Sequence, residues 1–117
     1  MVVYVVQDLL FVSKIREAAE PLGVPVQGVR DVETLPTVAR EAALVVLDLG
    51  LPQALRALEL LATDPTTAAI PTVGFVGHER LDVMETARAL GCRQVMAKGE
   101  FATRLPALLR DAAKPPA

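Results

Sequence analysis

Aromatic side chains are scarce in this sequence: one Tyr, three Phe and no Trp make up 3% of 117 residues. Base stacking on single-stranded nucleic acid and stacking on a flavin ring both need aromatics, so both are disfavoured. A core has to be built from Val, Leu, Ile and Ala. Cysteine occurs once, at Cys92, which excludes an internal disulfide and leaves no cysteine set for zinc. A small buried hydrophobe is its expected role. No cluster of Lys and Arg disturbs a net charge of −2, so the electrostatic footprint of a DNA-binding surface is missing. No apolar run approaches the roughly 20 residues of a membrane span. Asp8, then Lys14, Arg16 and Glu17, interrupt the apolar start and argue against a secretory leader. The expectation is a cytoplasmic protein with neither nucleic acid nor membrane as a partner.

What is present is apolar and regularly spaced. Hydrophobic residues are 52% of the chain, enough for one core in a single domain spanning 1–117. The most informative stretch runs Ala43-Leu44-Val45-Val46-Leu47-Asp48, then Leu49-Gly50-Leu51-Pro52. A short continuous apolar run closed by turn residues predicts a strand buried on both faces. Asp48 stands at its carboxyl end, where open α/β sheets place their ligands.

Four more runs of this kind alternate with helical patterns: strands are expected at Val2–Val6, Val24–Val29, Thr72–Val76 and Arg93–Ala97. Helices are expected from Leu9 to about Glu20, from Asp31 or Thr34 as N-cap to about Glu41, through Leu55, Leu58 and Leu61, from about Arg80 to Leu90, and from about Phe101 to Ala112. Lys98-Gly99 reads as the turn before the last helix, and about 113–117 as a frayed tail. Strict alternation with short connections predicts an α/β, doubly wound, five-stranded parallel sheet of flavodoxin-like (βα)5 type, order 2-1-3-4-5. That order brings Asp8, Asp48, the turn after Val76 and Lys98 to one edge of the sheet.

Four segments in this order and spacing resemble the response-regulator receiver domain: Val5-Val6-Gln7-Asp8, Val46-Leu47-Asp48-Leu49-Gly50-Leu51-Pro52, Asp64-Pro65-Thr66-Thr67-Ala68-Ala69-Ile70-Pro71, and Ala89-Leu90-Gly91 leading to Met96-Ala97-Lys98. The resemblance covers about residues 2–112. It implies a two-component signalling module, not an enzyme beyond self-catalysed phosphoryl acceptance. Asp48 matches the phospho-acceptor, and Lys98 the lysine that contacts the phosphoryl group as a point charge. Asp8, Asp48 and the backbone carbonyl of Gly50 match the ligands of Mg²⁺, with the site weakened because Gln7 replaces an acidic residue. The implied partners are a histidine kinase or phosphotransfer protein and a downstream protein, with a homodimer as a further option.

The sequence departs from the family where the signal is transmitted. The hydroxyl residue ending the fourth strand is Val76 here, and no Ser or Thr lies between Thr72 and Thr86. The aromatic three residues before the lysine is Val95. Gly99 replaces the proline that usually follows the lysine, so a trans Lys98–Gly99 bond is expected. These changes make a phosphorylation-independent pseudo-receiver the main alternative. A small phosphatase is the weaker one, since Gly50 occupies the place of its second Asp. Asp8 is also a natural cap for the first helix. Lys98 is expected to pair with Asp48 whether or not phosphate binds. His78, the only histidine, falls in the loop past Val76, where an exposed histidine is the ordinary outcome.

Overall fold

The computed structural model describes residues 1–114. Five strands form one sheet: β1 (Val2–Val5), β2 (Val26–Gly28), β3 (Leu44–Asp48), β4 (Thr72–Val76) and β5 (Gln94–Ala97). All neighbours are parallel, in the order β2-β1-β3-β4-β5. The helices are α1 (Leu9–Ala19), α2 (Leu35–Val38), α3 (Ala54–Thr63), α4 (Leu81–Ala89) and α5 (Lys98–Ala113). This is the predicted doubly wound topology, with Asp48 at the carboxyl end of a central strand.

Period-2 alternation divides the strand side chains between two cores. Val3, Val5, Val45, Leu47 and Val76 face α2, α3 and α4. Val2, Tyr4, Val46, Val73, Phe75 and Met96 face α1 and α5. The second core is not purely aliphatic, as the low aromatic content had suggested. All three phenylalanines converge there, with Phe75 stacked on Phe11 at 4.8 Å and on Phe101 at 4.4 Å between ring centroids. Few aromatics thus form one cluster, which gains packing energy beyond the area buried.

Three elements differ from the expectation by more than one residue at a boundary. The second strand is Val26–Gly28, not Val24–Val29, because β2 has one neighbour only and Pro25 has no N–H to donate. Its ladder is continued by Val2 N–H to the Pro25 carbonyl and Val29 N–H to the Tyr4 carbonyl, both 2.9 Å. The expected second helix is split. Asp31 caps a 3₁₀ turn, Val32–Thr34, by accepting from Glu33 N–H at 3.0 Å, and α2 is a single turn. Pro36 cannot bond back to the Val32 carbonyl, so that carbonyl takes the Leu35 N–H in 3₁₀ fashion instead.

The last helix begins at Lys98 itself, three residues earlier than the pattern suggested, and Lys98 is therefore not in a turn. Ala97, extended at ψ 159°, is its cap, so the strand passes directly into the helix. No described peptide bond is cis. Of the tail, Ala113 is the final helical residue, Lys114 N–H bonds to the Asp111 carbonyl, and 115–117 lie outside the described residues. No helix among the described residues is long and apolar enough to cross a membrane.

Candidate functional site

Asp48 ends β3 half-buried, its paired neighbours on β4 being Phe75 at the same level and Val76 one step beyond. Its Oδ1 accepts the Gly50 N–H at 2.9 Å, and its carbonyl accepts the Leu51 N–H at 3.1 Å. The carboxylate is thereby fixed by the turn that follows it, with Oδ2 free of that bond. Leu49, 3% exposed, anchors the turn from below. Its side chain lies where a Cβ on Gly74 would sit, 2.7 Å from Leu49 Cδ1. A glycine in a central strand otherwise weakens it, so this close approach explains Gly74. Leu49 N–H also bonds to the Phe75 carbonyl at 2.9 Å.

Gly50 borders two different chemistries. A Cβ placed there would stand 3.2 Å from Asp48 Oδ1 and 4.0 Å from Val76 Cγ2. A methyl group of Val76 thus flanks the Asp48–Gly50 turn. Val76 is 3% exposed, and half-buried Val95 packs into the same aliphatic core. The side of the site formed by β4 and β5 is apolar.

The other predicted residues are placed more loosely. Asp8 caps α1, its Oδ1 accepting Leu10 N–H at 2.9 Å, and is exposed. Gln7 is exposed as well. Lys98 is exposed at the start of α5, and among the described residues no ion pair joins it to Asp48. The expected neutralisation of the two charges is therefore corrected. An exposed ammonium gains little from pairing, and Asp48 already has the Gly50 N–H as a partner. His78 is exposed, with Nδ1 3.7 Å from Glu79 Oε2, as foreseen. Among the described residues no group of three or more His, Cys, Asp or Glu side chains could hold a metal alone.

Cys92, Asp64 and Glu33 have shifted ionisations. Burial pushes the Cys92 thiol up, and its Sγ donates to the Gln94 carbonyl at 3.4 Å, so it is the inert small hydrophobe expected. Hydrogen bonds from Thr66 hold Asp64 below the usual carboxylate range. A bidentate contact from Arg56, at 2.9 and 3.0 Å, does the same for Glu33 and ties α3 to the Val32–Thr34 turn.

Sequence reasoning missed the Phe cluster and the Leu49–Gly74 contact. The mid-strand glycine was the available signal for the second. The first had none, because Phe11, Phe75 and Phe101 are far apart in the chain.

No protein-family model and no curated protein sequence matches this chain. Solved structures do. The phosphorylated cyanobacterial phytochrome response regulator RcpA is 24% identical, over 94% of this chain and 88% of that one, with a TM-score of 0.73. A response-regulator receiver domain from Rhodospirillum rubrum is 22% identical over 97% and 94%, with a TM-score of 0.75. The Mn²⁺-bound response regulator Rcp1 is 14% identical over 99% and 96%, with a TM-score of 0.75. Identities this low establish a shared architecture: the chain has the fold of response-regulator receiver domains.

Proposed function

We propose that this chain is a receiver-type signalling domain in which Asp48 accepts a phosphoryl group while the usual reporting residues are replaced. The observation that carries this reading is the half-buried Asp48 carboxylate, oriented by Gly50 N–H at 2.9 Å at the carboxyl edge of the sheet. In the proposed step Asp48 Oδ2 attacks the phosphorus of a phosphohistidine on a kinase or phosphotransfer protein. The P–N bond breaks, its electron pair stays on the imidazole nitrogen, and the aspartyl P–O bond forms. No turnover of a small substrate is implied. The conservative downstream reader is a protein partner.

A hard divalent cation suits the donors Asp8, Asp48 and the Gly50 carbonyl, which are all oxygen, and it would neutralise charge on the transferring group. Gln7 contributes no charge, so Mg²⁺ affinity is expected to be low. Rcp1, with its bound Mn²⁺, supports a divalent ion in this fold. The flexible stem of Lys98 can bring its ammonium to the phosphoryl oxygens once they are present. The second reading, a phosphorylation-independent interaction module, is favoured by one observation, the Val76 methyl beside Gly50.

Incubation with acetyl phosphate and Mg²⁺, followed by intact mass, separates the two. A single phosphoryl adduct, absent in Asp48→Asn, is expected. No adduct under conditions that label an ordinary receiver would leave only the interaction module.

A further inference from the structure

A separate cleft of about 650 Å³ opens at the β2 side of the same edge, lined by residues that include Tyr4, Gln7, Val12, Arg16, Val29 and Arg30. Its volume lies in the range of small-molecule sites. Arg16 reaches it from α1 and Arg30 from the segment after β2, and among the described residues neither guanidinium takes part in an ion pair. The nearest carboxylates in sequence are Glu17 and Glu20 for Arg16 and Asp31 for Arg30; among the described residues none forms an ion pair with them, and Asp31 accepts the Glu33 N–H as a cap. Arg16 is held in place: its Nη2 donates to the Tyr4 hydroxyl at 3.0 Å, and its guanidinium carbon stands 6.0 Å from the Tyr4 ring centroid. Gly28 makes this possible, because a Cβ there would stand 2.8 Å from the Tyr4 ring.

We propose that this cleft binds a small organic anion with an aliphatic body, such as a medium-chain carboxylate, independently of Asp48. Two guanidinium groups facing one concavity favour an anionic head and can bond it through charged donors. Half-buried Val12 and the exposed Leu9 at the rim offer apolar surface to the body. Tyr4 is only 5% exposed, so no ring is available for stacking, and this selects an aliphatic body over an aromatic one.

Titration of the ¹⁵N-labelled chain with octanoate tests the site. Saturable shifts of the Leu9–Arg16 and Gly28–Arg30 amides are expected, with inorganic phosphate binding more weakly because it lacks the body. Arg30→Gln, at an exposed residue, should weaken octanoate about tenfold, and Tyr4→Phe several-fold through the loss of the Arg16 anchor. Asp48→Asn should leave the titration unchanged, which keeps this result separate from the phospho-acceptor reading. Absence of saturable shifts overturns the proposal. So do equal affinities in the wild type and in a folded Arg16→Gln/Arg30→Gln variant, and so does loss of binding in Asp48→Asn.

Discussion

β3 and β4 run side by side and end at the same edge, yet they end in opposite chemistry. β3 closes on a carboxylate fixed by a backbone N–H, with Leu49 locked beneath it against Gly74. β4 closes on Val76, whose methyl groups complete an aliphatic core. The loop after β3 leads into α3, which a bidentate Arg56–Glu33 contact holds at 2.9 and 3.0 Å. The segment after β4 has only long, exposed pairs, His78–Glu79 at 3.7 Å and Arg80–Asp82 at 3.8 Å. A carboxylate can thus be held accurately by one strand while the end of its neighbour offers no polar side-chain atom beside it. Under the proposed function, acceptance and transmission would be separable properties of this edge, located on adjacent strands.

The largest effect on this contrast should come from Gly74→Ala. The added Cβ would meet Leu49 Cδ1 and Cγ at 2.7 and 2.8 Å. Overpacking of this kind costs about 1–3 kcal/mol, and the value here should lie in the upper half because Leu49 is enclosed. Displaced Leu49 would also disturb the Asp48–Gly50 turn, so labelling by acetyl phosphate should slow along with the loss of stability in urea melts. Leu49→Ala on top of Gly74→Ala should cost less than the two single changes added together, as expected of side chains in contact. Strict additivity would show that Leu49 does not anchor the turn.

The topology was legible because each strand is a short apolar run and each connection carries turn residues. Asp48 was legible for the same reason: a lone carboxylate closes the most apolar of those runs. Less visible were features set by contacts between distant segments. The 3₁₀ turn at Val32–Thr34 depends on which carbonyl Pro36 leaves without its usual partner. Lys98-Gly99 reads as a turn in the sequence, yet extended Ala97 feeds straight into α5. Its expected pairing with Asp48 presumed that opposite charges on one edge meet. The Gly50 N–H and solvent satisfy them separately. Nothing in the sequence joins Arg16 to Arg30, and only the fold puts them on one cleft with Tyr4.

A smaller effect, and a sharper test of the contrast, is expected from Val76→Thr. The substitution keeps the shape and adds a hydroxyl beside Gly50. Burying a hydroxyl without a partner costs roughly 1–3 kcal/mol. About 1 kcal/mol is expected here, because Val76, though 3% exposed, ends its strand beside half-buried Asp48. If a missing hydroxyl limits transmission, beryllofluoride with Mg²⁺ should shift amides of Leu81–Ala89 in the variant far more than in the wild type. Large shifts along α4 in the wild type itself would sink the idea that β4 is silent.

The smallest effect concerns the external brace on the β3 side and is read through pH. Arg56 holds the Glu33 carboxyl below its ordinary value of 4.5, chiefly by the side-chain hydrogen bond; desolvation opposes this, and a smaller charge contribution from Arg56 adds to it. A depressed carboxyl pKa adds stability that is complete above the unfolded value and is lost as pH falls through the folded one. The stability difference between wild type and Arg56→Gln should therefore be constant near neutrality. It should shrink on acidification from about pH 4.5 downward and vanish once Glu33 is protonated in both proteins. Both side chains are about half exposed, so the difference should be small and should shrink further with added salt. In Arg56→Gln the Glu33 carboxyl, followed by NMR, should return toward 4.5. A Glu33 midpoint that does not move would show that the pair is not formed in solution, and that the Asp48 turn is held by Leu49 and the Gly50 N–H alone.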